Sequence, residues 1–175
     1  MRRLLLLRHA KAERQSLGQD DRERVLNERG RSDAARLGAY LSTHDFVPNR
    51  VLVSPSARTR ETWALARDAV PGLPTPDEER RLYNATEAAI LDIVQATDDA
   101  IETLLVVGHN PGLHDLAMLL VASGDLDIRQ HLNEQFPTSA LAVIDFPLES
   151  WALLHPRSGR LERFITPKIL SATTD

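Results

Sequence analysis

The run "LLLLRHAKAE", residues 4–13, limits the fold more than any other stretch of the chain. Four consecutive leucines have no polar face, so Arg2 to Leu7 reads as a short strand buried on both sides, as the central strands of parallel sheets are. Arg8, His9 and Lys11 follow at once. The chain passes from core to cationic chemistry within one or two residues, and the fold must bring the carboxyl end of a buried strand to a polar surface.

A polar loop runs from there to about Leu26, and the chain then alternates between two periodicities. In "LNERGRSDAARLGAYLS" (26–42) the residues Ala34, Leu37 and Leu41 recur at helical spacing, with Asn27 or Ser32 as cap. "RVLVSP" (50–55) is a second short strand stopped by Pro55, and "SARTRETWALARDAV" (56–70) is a helix ending before the Pro/Gly turn "PGLPTP". "TEAAILDIVQAT" (86–97) is amphipathic and leads into "TLLVVGHNPG" (103–112), strand and then loop. "GLHDLAMLLVAS" (112–123) keeps a helical period up to Gly124. "SALAVIDF" (139–146), "SWALLHP" (150–156) and "RLERFIT" (160–166) read as strands. Strands alternating with helices of this length predict an α/β fold: a three-layer α/β/α sandwich around a mostly parallel central sheet. With 175 residues and neither repeat nor low-complexity linker, residues 1–175 are expected to form a single domain.

Composition narrows the function classes. The chain has no cysteine, which excludes disulfide frameworks, thiolate metal sites and cysteine nucleophiles, and fits a reducing compartment. The leading apolar run is too short for a secretory signal, and no segment approaches the ~18 apolar residues of a membrane span, so a cytoplasmic location is expected. Basic residues number 21 and acidic residues 25, with the signs mixed along the chain, which argues against a nucleic-acid surface.

In open parallel sheets ligands sit outside the carboxyl ends of the strands, near the point where strand order reverses. Three strand ends carry chemistry of one kind. The first supplies Arg8 and His9, the second Ser54 and Arg58, the third His109 and Asn110. Guanidinium forks match phosphate oxygens bidentately and stay charged at any working pH. A neutral imidazole is a nucleophile able to carry a phosphoryl group, and nearby cations hold it neutral. Arg8 and Arg58 as phosphate ligands, His9 as nucleophile and His109 as a further donor therefore compose a phosphoryl-transfer site, in which positioning and charge stabilisation do most of the catalysis. Ser54 and Asn110 serve equally well as turn or cap residues, and His44, His114, His131 and His155 read as structural. The histidine spacing suits no metal, and no cofactor is expected.

Taken together, these segments resemble the histidine phosphatase superfamily, which includes cofactor-dependent phosphoglycerate mutases and SixA-type phosphohistidine phosphatases. Arg8-His9 matches the family's Arg-His-Gly motif with Ala10 in the glycine's place, "LNERGR" resembles its Leu-Thr-x-x-Gly segment, "SPSARTRET" its Ser-x-x-x-Arg-x-x-x-Thr pattern, and "VVGHNPG" the strand ending in its second active-site histidine. The resemblance covers nearly the whole chain and implies a phosphoglycerate mutase-like fold, with His9 the phosphorylated nucleophile, Arg8 and Arg58 phosphate-binding and His109 catalytic. It departs from the family at the proton donor. Asn110 stands where many members have an aspartate after the second histidine, and Tyr83 and Asn84 lie near the expected glutamate, with Glu87 close by. No long insertion covers the pocket, which implies a shallow, open site able to admit a protein. The substrate expected from the resemblance is phosphohistidine on a signalling or phosphotransfer protein. A small phosphomonoester on the same site, or phosphate binding without catalysis, are the other functions this pattern allows.

Overall fold

Along residues 1–172, which the computed structural model describes, the chain forms β1 (Arg2–Arg8), α1 (Glu28–Thr43), β2 (Arg50–Val53), α2 (Ala57–Ala69), β3 (Asp77–Glu78), α3 (Glu87–Gln95), β4 (Thr103–Gly108), α4 (Gly112–Leu120), β5 (Val121–Gly124), α5 (Leu126–Glu134), β6 (Leu141–Phe146), β7 (Gly159–Ile165) and α6 (Pro167–Ala172). Seven strands make one sheet in the order β3-β2-β4-β1-β6-β7-β5. β1 pairs in parallel with β4 and antiparallel with β6, and β6 is the one strand that runs against the others. The predicted mostly parallel sheet is therefore present, with the leucine strand at its centre.

The leucines explain the layering. Side chains of successive strand residues point to opposite faces, so Leu4 and Leu6 join Leu104, Val106 and the apolar sides of α3 and α4, while Leu5 and Leu7 join Val51, Val53, Leu105 and Val107 under α1 and α2. All four leucines are completely buried. Each contributes about 1.5–3 kcal/mol by leaving water, and together they anchor both cores. The helices begin where the sequence places polar caps. Asn27 accepts from the Gly30 amide at 2.8 Å to start α1, and Ser56 and Thr86 cap α2 and α3 likewise.

Two local expectations are corrected, and three short elements were not foreseen. "GLHDLAMLLVAS" is helical only to Leu120. Val121–Gly124 instead forms the edge strand β5 beside β7, because sheet pairing there competes with a helical period that both structures satisfy. "SWALLHP" is not a strand but a single 3-10 turn, Trp151–Leu153. Its apolar residues cover the end of a layer: Trp151 is fully buried and its indole N–H donates to the Ile101 carbonyl at 2.7 Å. The short β3, α5 and α6 fall in stretches whose sequence pattern predicted no element. No described helix is long and apolar enough to cross a membrane.

α1 crosses α2 at Gly38, where an added Cβ would lie 2.3 Å from the Ala66 carbonyl oxygen. The close atoms are backbone and not the end of a flexible side chain, so the two helices must move apart to relieve the contact. Gly38→Ala is expected to cost about 2 kcal/mol or more, read as a lowered urea midpoint with unchanged slope.

Candidate active site

β1 and β4 lie side by side, yet the chain leaves them in opposite directions. After β1 it enters α1 on one face of the sheet, and after β4 it enters α4 on the other. The crevice between their carboxyl ends is the topological switch point. Arg8 is in register with Gly108, so the next residue of each strand is a histidine. The His9 amide donates to the Gly108 carbonyl at 3.2 Å, and the two imidazole centroids stand 5.4 Å apart at 55°. β2 completes the crevice from the far side of β4. Its exit residue Ser54 donates its amide to the Val107 carbonyl, and Arg58 follows in the first turn of α2. Arg8, His9, Arg58 and His109 are thus brought together, as the sequence predicted.

Hydrogen bonds fix which nitrogen of each histidine is free. Carbonyl oxygens only accept, so the 2.8 Å contact between His9 Nδ1 and the Ala10 carbonyl puts the proton on Nδ1 and leaves the Nε2 lone pair exposed to the crevice chemistry. On His109, Nδ1 faces an Arg58 terminal nitrogen at 3.4 Å and accepts from it. Its Nε2–H then donates to Ser54 Oγ at 2.7 Å. Ser54, which the sequence left between turn and site, holds the second imidazole in one orientation and is itself fully buried. Thr62, one turn beyond Arg58, accepts the Ala10 amide on its hydroxyl at 2.9 Å and donates its own O–H to the Arg58 carbonyl, tying the loop after His9 to α2.

The two guanidinium groups are only partly satisfied. Arg8 donates to the Phe136 carbonyl at 3.0 Å, a carbonyl it shares with the Asn110 amide. Arg58, 4% exposed, gives its two terminal nitrogens to the backbone oxygen and the carboxylate of Asp21 at 2.8 and 3.0 Å. The Nε–H of both arginines is buried without a hydrogen-bond partner. A buried donor left unpaired costs about 1–3 kcal/mol, so two of them in one crevice favour an anion.

Burial also sets the protonation states. Loss of water, with His109, Arg58 and Arg8 acting in the same direction against the Ala10 hydrogen bond, pushes His9 down to about 3. Burial and the charge of Arg58 push His109 down to about 4, with Asp21 pulling the other way. Both rings are therefore neutral at pH 7. Partial burial pushes the Asp21 carboxyl up, but hydrogen bonds from Tyr83 and Arg58 and the charges of Arg58 and Arg24 prevail and hold it at about 2. It is a carboxylate at any working pH.

Asp21 is the site residue that sequence reasoning missed. It lies in the polar loop after β1, which is pinched shut by the Ala12–Leu26 bridge and turns back over Arg58. Tyr83, foreseen only as a neighbour of an expected glutamate, donates its hydroxyl to the same carboxylate and sets its ring edge-on to His109 at 5.5 Å. Nothing in "QDDRER" distinguishes Asp21 from a solvated charge. The contact makes the site less open than expected, since His9 and His109 are 7% and 6% exposed. Glu87 opens α3 and has no hydrogen bond or ion pair with these residues. His114 donates to the Leu132 carbonyl and His44 stacks on Tyr40, the structural roles expected of them.

Residues 4–83 match the model of the histidine phosphatase superfamily, branch 1. An uncharacterised protein of Mycobacterium tuberculosis is 32% identical over 165 residues, covering 93% of this chain and 100% of its own. Among solved structures, a protein from Agrobacterium tumefaciens named as a candidate phosphohistidine phosphatase SixA superposes with a TM-score of 0.80 at 29% identity, over 95% of this chain and 98% of that one. One from Nakamurella multipartitia, similarly named, gives 0.81 at 28%, over 95% and 96%.

Two outcomes follow from this geometry. Both histidines titrate lower folded than unfolded, so the unfolded chain takes up more protons below pH 6.5, and the stability present above that pH is lost as pH falls toward 3–4. Urea midpoints measured from pH 7 to 4 are expected to fall more steeply for wild type than for His9→Gln. Separately, Asp21→Asn keeps the acceptor for Arg58 and Tyr83 but removes a negative charge beside the anion site. Inorganic phosphate is expected to bind the variant severalfold tighter by calorimetry at low salt.

Proposed function

The chain belongs to the histidine phosphatase superfamily, within its SixA-like branch, and from that premise we propose that it is a phosphohistidine phosphatase acting on a phosphorylated signalling or phosphotransfer protein. The observation that carries this proposal is the combination at the switch point: a lone pair on His9 Nε2 freed by the Nδ1 bond to Ala10, beside two guanidinium groups whose buried Nε–H donors lack partners.

The reaction runs in two displacements. The substrate ring takes a proton from solvent on its other nitrogen, His9 Nε2 attacks phosphorus, and the P–N bond breaks to release neutral imidazole. Arg8 and Arg58 hold the phosphoryl oxygens and spread their charge. The incoming dianion offsets the burial and the Arg58 charge that depress His109 and favours its imidazolium, so that Nδ1, which accepts from Arg58 in the empty crevice, donates to a phosphoryl oxygen instead. Water then attacks the phosphohistidine at His9, the P–Nε2 bond breaks, and inorganic phosphate departs with His9 neutral again.

The first step exchanges one P–N bond for another and is close to thermoneutral. A substrate ring protonated on its other nitrogen leaves as neutral imidazole, whose conjugate acid has a pKa of about 6.5, and needs no acid from the enzyme, whereas an alkoxide needs a proton in the transition state. Neither the carboxyl nor the phenol nearby supplies one, since Asp21 is held ionised and burial and then Asp21 raise the Tyr83 hydroxyl, while the His109 proton is directed to a phosphoryl oxygen and not to the leaving group.

Turnover of a phosphohistidine peptide by His9→Ala is expected to fall on the order of 10⁴-fold or more, while phosphate binding, measured by calorimetry, persists through the arginines. Near wild-type activity would exclude the covalent route. Wild-type kcat/KM for a phosphohistidine peptide is expected to exceed that for an alkyl monoester by at least about 100-fold, the range a general acid supplies. A preference for the alkyl ester would assign the site to small phosphomonoesters instead.

A further inference from the structure

A second pocket opens on the same edge of the sheet as the catalytic crevice. It has a volume of about 310 Å³, and Lys11, Arg29 and Lys168 line it together with Asp33, Gln135 and Thr138. It shares no lining residue with that crevice but adjoins it along the chain. Lys11 lies two residues beyond His9, so their Cα atoms are at most about 7 Å apart. The Lys11 backbone is fixed against the start of α1: its carbonyl accepts from the Asn27 amide at 2.9 Å, and a Cβ on Gly30 would lie 2.1 Å from that same oxygen. On the opposite wall, Thr138 precedes Ser139, whose amide donates to the His9 carbonyl at 3.1 Å.

Three cations face one carboxylate here, and the pairing is poor. Among the described residues no hydrogen bond or ion pair engages the Lys11 or Lys168 ammonium, and Arg29, whose side chain is 69% exposed, reaches Asp33 only at 4.0 Å. Asp33 itself is nearly buried and cannot follow the cations outward. Among the described residues the pocket therefore presents more positive than negative charge, two residues along the chain from His9, in a protein whose net charge is −4.

We propose that this pocket is a substrate subsite that receives an aspartate or glutamate side chain of the phosphorylated protein, close in space to its phosphohistidine. The inference rests on the phosphohistidine reading above. A carboxylate fits better than a second phosphoryl group, because Asp33 opposes a dianion and because ammonium groups on flexible stems, unlike the paired forks of the catalytic crevice, suit a monoanion of variable position. Lys11 and Lys168 are specificity residues in this role, not catalytic ones.

The test uses two phosphohistidine peptides that differ only in carrying aspartate or lysine near the phosphorylated residue, with wild type, Lys168→Glu and Lys168→Gln. Wild type is expected to show a KM about fivefold lower for the acidic peptide at similar kcat, as two or three exposed charge pairs allow. Lys168→Gln should reduce that ratio and Lys168→Glu should reverse it. Equal KM values in wild type, or a ratio untouched by both substitutions, would overturn the subsite. A parallel measurement separates the two proposals: an unphosphorylated acidic peptide should inhibit wild-type hydrolysis of a small aryl phosphate and inhibit Lys168→Glu severalfold less. If neither phosphohistidine peptide turns over while this difference holds, the substrate reading fails and the carboxylate subsite stands. If the peptides turn over without any dependence on charge, the reverse is true.

Discussion

The parallel pairing of β1 with β4 is the constraint on which the rest of the site depends. Register between Arg8 and Gly108 sets His9 next to His109, and the opposite exits of the two strands open a crevice exactly one residue beyond them. That pairing is held from both faces by leucines with no exposure at all. A one-residue slip would exchange the faces of β1 and carry His9 away from its partner, so the core packing and the active geometry are specified by the same contacts.

Charge is then managed by burial. Four cationic or potentially cationic groups sit within one crevice, an arrangement tolerable only because two of them give up their protons. His9 and His109 are held neutral at about 3 and 4 by loss of water and by the neighbouring guanidinium groups. The arginines cannot do the same, and they are stabilised instead by carbonyl oxygens and, for Arg58, by Asp21. What stabilises the empty crevice also leaves a neutral imidazole beside two guanidinium groups, the combination on which the proposed reaction rests.

Asp21 shows how a short polar loop becomes part of the crevice. Closed by the Ala12–Leu26 bridge, it delivers one carboxylate to Arg58, Arg24 and Tyr83 together. The carboxylate holds the Arg58 guanidinium in place. The cost is a negative charge beside a site for dianions, a balance between pre-organisation and affinity.

Much of this was legible in the chain. "LLLLRHA" determines a central strand ending in cations, because no other element buries four leucines on both sides and then stops at Arg8. Alternating strand and helix periods determine the α/β class, and Arg58 and His109 after later strands point to the same crevice. The failures share a cause. Val121–Gly124 keeps the helical period of α4 but pairs with β7, and "SWALLHP" has a strand's composition but caps a layer as a turn around Trp151, because apolar side chains report burial and not the backbone that delivers it. Asp21 and the Lys11–Lys168 pocket were invisible for a different reason. A charged side chain in a polar loop looks the same whether it meets water or an arginine, and only the tertiary structure, by bringing residues 21, 58 and 83 or 11, 29 and 168 together across the sheet edge, decides which charges acquire partners and which are left to bind something else.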